Sequence, residues 1–184
     1  MFFNKLFQKR ADRTLSTQLA YEMIVAQARH PSFYLAANVE DSVDGRFDML
    51  VLHVYLLINR MNADESERTA AFSQGVFDHL FEDMDRSLRE MGVGDLSVGK
   101  KIKKMAQVFY GRVKVYDDGL KTYAEAPGEL EDALRRNIYA GRNESGEAAK
   151  LAAYMYSSSE HLGRIDTASL LKGELSFPEP ETCL

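Results

Sequence analysis

The chain predicts an all-α fold, one compact bundle of six to seven helices around a central apolar helix, and three observations predict it. Apolar residues recur at three- and four-residue intervals over long stretches. Breakers are sparse, with 4 Pro in 184 residues. No two-residue alternation runs far enough to make a convincing strand. At 45% hydrophobic and 28% charged residues, the chain can bury a real core and is not disordered. Its length suits one domain, read as an N-terminal amphipathic segment over 1–14, a helical domain over 15–172 and a tail over 173–184.

The segment 1–14 places Phe2, Phe3, Leu6 and Phe7 on one helical face beside Lys5, Lys9 and Arg10, a weak interfacial pattern and not a secretory signal. The first helix is expected over 15–28 with Leu19, Met23 and Ala26 inward, stopped by Pro31. A loop through Asn38 follows. Asp41, Ser42 and Asp44 offer caps to a second helix reaching Met61, and its nearly all-round apolar surface from Met49 marks it as the centre. The run 49–58 covers only half of a hydrocarbon core of roughly 30 Å, so it reads as buried and not membrane-spanning.

A third helix, 64–91, carries Phe77, Phe81, Met84, Leu88 and Met91 on its inner face and charges outside, with Arg86 and Arg89 available to Glu82, Asp83 and Asp85. Gly92 suits the left-handed position that ends it, and Asp95 or Ser97 would cap the next. In that fourth helix Val98, Ile102, Met105, Phe109, Val113, Tyr116, Leu120 and Tyr123 share an arc of about 80°, while Lys100, Lys103, Lys104 and Lys114 point away. Helices over 128–139 and 145–162 follow, then a turn of helix near 166–171 and a loose acidic tail around Phe177.

Candidate chemistry is mostly eliminated by spacing. The glycine-rich segment 94–100 matches a phosphate-binding loop up to its lysine, but Lys101 replaces the magnesium-binding hydroxyl and a charged helix precedes it instead of a strand. None of His30, His53, His79 and His161 has a ligand partner at Glu-x-x-His or His-x-x-x-His spacing, and the lone Cys183 builds no cluster, so no metal or cofactor is expected. His53, inside the most apolar helix, must find a partner or lose its charge. Ser157, Glu160 and His161 share one helix surface, not the strained turn a nucleophile needs, so catalytic residues are expected to be none. Asp44 and Asp48 read as helix-start caps and dipole partners, with Arg46 pairing to an acid elsewhere, and Gly111 as a site of close helix approach or a bend.

Charge distribution is more telling than the net value of −5. Between Arg86 and Tyr116, eight basic residues face Glu90 and Asp95, an island of +6 that leaves −11 for the rest. Arg86, Arg89, Lys100, Lys101, Lys104 and Arg112 are read as a basic docking face for an anionic surface, with Val108, Tyr110 and Val115 beside them. A solvated face explains the same charges.

Several segments also carry a resemblance: YEMIVAQAR at 21–29, PSFY at 31–34, VDGRFDML at 43–50, FDHLFED at 77–83, MDRSLREMGVGDLSVGKKIKK at 84–104 and FYGR at 109–112. In order, over about 15–139, these resemble the ubiquinol–cytochrome c chaperone family, assembly factors for cytochrome b of the bc1 complex. The resemblance implies a non-enzymatic, all-helical chaperone of a newly made or newly inserted hydrophobic membrane subunit. Mitochondrial relatives work with a small partner protein near the ribosomal exit tunnel and carry a targeting extension. Without one, this chain is expected to be a bacterial, cytoplasmic member, peripheral at the inner membrane if it touches membrane or ribosome. An apolar groove would cover part of the client's roughly 20-residue transmembrane segments, with Phe81, Met84, Met91, Met105 and Phe109 as wall candidates beside the alternative that all are closed core. A lipid or apolar small-molecule carrier and a ribosome-associated RNA binder remain the other readings of the same helices, and oligomeric state is open.

Overall fold

The computed structural model describes residues 2–141 and 146–184, with side chains from Thr14 onward. Eight α segments run in order: α1 (Phe2–Ala28), α2 (Pro31–Leu35), α3 (Val43–Asn62), α4 (Glu67–Glu90), α5 (Asp95–Thr122), α6 (Gly128–Asn137), α7 (Glu147–Arg164) and α8 (Thr167–Leu170). A 3-10 turn, Pro180–Thr182, closes the chain, and no strand occurs among the described residues.

The central helix is α3. The Ser42 hydroxyl caps it by accepting from the Gly45 N–H at 3.2 Å. From Phe47 to Leu57 every residue is buried, because α1, α4, α5 and α7 pack around it. The helix α4 starts on a reciprocal capping box between Ser66 and Thr69. It ends where Gly92, at φ +81°, lets the Val93 N–H turn back to the Leu88 carbonyl at 3.0 Å. Gly94 begins α5 with no side-chain cap, so neither Asp95 nor Ser97 caps it; Asp95 instead adds a negative charge to the first turn. The inner arc of α5 is as expected, with Val98, Phe109, Tyr116 and Leu120 buried. At Gly119 an added Cβ would stand 2.9 Å from Leu130 Cα, so the missing side chain sets the approach of α6 to α5.

Three expectations are corrected. The first helix begins at Phe2, and its inner face is Ser16, Thr17, Ala20, Tyr21, Ile24 and Ala28; Leu19 and Met23 are 43% and 44% exposed. Close polar packing on α4 outweighs bulk here. Tyr21 donates to Asp83 at 2.9 Å, Thr17 pairs with His79 at 3.2 Å, and Gly75 leaves room for Thr17. The expected face of Phe2, Phe3, Leu6 and Phe7 lies outside the described side chains. Residues 31–35 are helical and not loop, started by Pro31 at the position where a missing N–H costs nothing. The tail is docked and not loose: Leu175 and Pro180 are buried, Phe177 meets the His53 ring edge-on at 5.0 Å between centroids, and Gln27 donates to the Pro178 carbonyl at 3.1 Å. Apolar side chains and polar ties to Gln27, Ser32 and His161 together hold it down.

Candidate docking surface

The helices α4 and α5 form a hairpin whose four-residue turn is its apex. Near its middle, α4 contributes Phe77 and Phe81 and α5 contributes Phe109 and Tyr110. Ring centroids lie 4.6 Å apart for Phe77 and Phe81, 5.2 Å for Phe77 and Phe109, and 5.7 Å for Phe77 and Tyr110. Phe109 is buried while Phe77 and Phe81 are half-buried and Tyr110 is exposed. The cluster is therefore partly open at the surface.

The five cleft candidates lie at different depths. Met84 and Phe109 are buried and floor the surface; Phe81 and Met105 are half-buried, and Met91 stands at the apex, 51% exposed. A depression of about 480 Å³ opens beside α5, lined by Val108, Gly111, Arg112, Val115, Arg136 and Asn137. A Cβ on Gly111 would meet nothing within 4 Å, so this glycine borders open space and brings no helices together.

The basic residues divide in two. Arg86 pairs with Asp83 at 2.5 Å, and Arg89 pairs with Asp85 at 2.6 Å and also with Asp95 across the apex. Arg112 is no part of an exposed face: its side chain is 11% exposed and its guanidinium donates to Asp48 at 2.5 Å and to the Asn137 carbonyl at 3.1 Å. Asp48, equally buried, is thus the counterion of Arg112 and not a helix-start cap, whereas Arg46 takes the local acid Asp41 at 2.6 Å. Burial lifts Asp48 to about 6 against the pull of Arg112. Lys100, Lys101, Lys103 and Lys104 are exposed and form no ion pair among the described residues.

Elsewhere, titratable groups serve the core. His53 is fully buried, bonded through Nδ1 to the Met49 carbonyl at 2.7 Å and through Nε2 to the Tyr154 hydroxyl at 2.8 Å; burial pushes it down to about 4. His30, Glu179 and Glu181 bring three ligand-type atoms within 4.8 Å of one another, and two of these side chains also form a latch: Glu181 accepts from Ser32, and His30 caps α2 while facing Glu181 at 3.7 Å. His161 bonds Ser176 at 2.9 Å, away from any nucleophile arrangement with Ser157. The segment 94–100 is the first turn of α5 following α4 and a short turn, without the strand a phosphate loop requires.

Sequence reasoning missed the Asp48–Arg112 pair, which joins residues 64 apart in the chain. It also missed Leu96, which is 94% exposed. Its angular position, one turn before Lys100, was the available signal.

What these features define first is a class: an all-helical bundle whose distinctive surface is a helical hairpin with an aromatic cluster at its middle, free lysines and an apolar apex. The chain belongs to the ubiquinol-cytochrome C chaperone family, whose model matches residues 35–177. The match reaches α7, α8 and the tail, beyond the 15–139 legible by resemblance. Among relatives, the chain is 27% identical over 152 residues to protein CBP3, mitochondrial, of Saccharomyces cerevisiae, covering 80% of this chain and 44% of that one. It is 24% identical over 160 residues to human ubiquinol-cytochrome c reductase complex assembly factor 1, covering 85% and 52%. The chain thus spans about half the length of these curated relatives. The crystal structure of the Cbp3 homolog from Brucella abortus superposes with a TM-score of 0.88 at 35% identity, covering 100% of this chain and 99% of that one. Among the described residues, no helix is long and apolar enough to cross a membrane.

Proposed function

We propose that this protein is an assembly chaperone of the ubiquinol–cytochrome c reductase complex, that its client is newly made cytochrome b, and that it acts by binding without catalysis. The observation that carries the reading is family membership over 35–177, joined to a structural likeness covering the whole chain. The aromatic cluster midway along the α4–α5 hairpin supplies a physical basis. Phe77, Phe81 and Tyr110 are partly open to solvent over the buried Phe109 and Met84, and an apolar client segment gains by covering them. A lipid carrier is less favoured, because the depression beside α5 is open and bordered by Arg112 and Arg136.

A photo-crosslinking residue at Tyr110, which is exposed and replaceable without disturbing the core, tests the surface. Crosslinks to cytochrome b from position 110 and none from exposed Arg164 are expected. Equal crosslinking from both positions, or none from 110 while the client co-purifies, rejects this surface.

A further inference from the structure

The apex of the α4–α5 hairpin has properties that neither the fold nor the client surface uses. Leu96 is 94% exposed and Met91 51%. Val98 is the buried residue between 91 and 104, so the apex packs on little beyond its own hairpin. With about 1.5 Å rise per residue, it stands roughly 20 Å from Phe109. Leu96, Lys100, Lys103 and Lys104 follow one another at helical spacing and share one outward face, with Lys101 on its flank. An unshielded leucine stands ahead of four unpaired ammonium groups, which outnumber the exposed acids of the apex, Glu90 and Asp95, on a chain of net −5.

We infer that this apex is a membrane-docking element: Leu96 and Met91 enter the headgroup region of a bilayer rich in anionic phospholipid, and Lys100, Lys101, Lys103 and Lys104 pair with its phosphates. The chemistry favours lipid over RNA. The nearby arginines, best suited to planar recognition, are held by Asp83, Asp85 and Asp95, and the apex carries no aromatic ring for base stacking. Flexible lysine stems instead reach headgroups while their methylenes and the adjacent leucine rest on acyl chains. Each lysine near an anionic surface strengthens attachment about fivefold. The inference is independent of the client, since it concerns where the protein sits and not what it holds.

The test is co-sedimentation of the full chain with phosphatidylglycerol/phosphatidylethanolamine vesicles and with phosphatidylcholine vesicles. Binding to the anionic vesicles that weakens with salt, and little to the neutral ones, is expected. Leu96→Ser should lower partitioning about tenfold. Each lysine-to-glutamine change should lower it about fivefold, with unchanged circular dichroism because all these side chains are exposed. Equal binding to both vesicle types, or anionic binding indifferent to Leu96 and the four lysines, would overturn the assignment. So would retention of an RNA oligonucleotide with no vesicle binding at all.

Discussion

Arg112 on α5 reaches the carboxylate of Asp48 on α3 at 2.5 Å, and the same guanidinium ties the end of α6 through the Asn137 carbonyl. Three helices are thereby fastened by one side chain that the charge pattern alone assigns to the surface. Removing either partner leaves an uncompensated charge in a site where both are about 10% exposed. Asp48→Ala or Arg112→Ala should each cost about 3 kcal/mol in chemical denaturation, whereas the paired change Asp48→Leu with Arg112→Met should cost about 1 kcal/mol. Additive losses in the double variant would show that the two residues act separately.

His53 makes stability depend on acid. Its folded pKa of about 4 lies below the ordinary 6.5, so between these values the unfolded chain binds a proton that the folded one refuses. This contribution is therefore full above pH 6.5 and is lost as pH falls toward 4, by up to about 3 kcal/mol. Asp48 works in the opposite sense, because its raised value of about 6 lets the folded state take up a proton first. The measurement is the unfolding free energy of wild type minus that of His53→Phe across this range. The difference should shrink as pH falls, and a constant difference would show that the imidazole is free to charge in the fold.

Two glycines of α5 should respond with opposite sign to alanine. At Gly119 the new methyl collides with Leu130 backbone, and displacement of α6 should cost about 1 to 2 kcal/mol even after the gain in helix propensity. At Gly111 nothing lies within 4 Å, and the propensity gain of about 0.8 kcal/mol should appear as added thermal stability. Thermal denaturation of both variants checks the pair.

The docked tail seals the centre. Phe177→Ala removes the ring that covers His53 and should cost about 2 kcal/mol. Water entry should also raise the His53 pKa toward its ordinary value, visible in an NMR titration of the imidazole protons. An unchanged titration would mean that Phe177 does not shield the site.

Periodicity made most of the architecture legible, because α3, α4 and α5 bury stripes of large apolar residues that outweigh every alternative. It failed on α1, where Thr17, Ala20 and Tyr21 pack inward and Leu19 does not: short polar contacts with His79 and Asp83 leave no apolar signature. The tail was misread for the related reason that its anchors, Leu175 and Phe177, are isolated among acids and prolines. At the surface, counting charges located the basic segment but not its division into paired arginines and free lysines. That division depends on partners such as Asp48 that are remote in sequence.

The proposed role in assembling the bc1 complex through cytochrome b is tested most directly by the haem b difference spectrum of membranes from cells lacking this chain. Loss of the bc1 haem b signal, restored by the wild-type chain, is the predicted result. A normal signal in the absence of the protein would contradict the account.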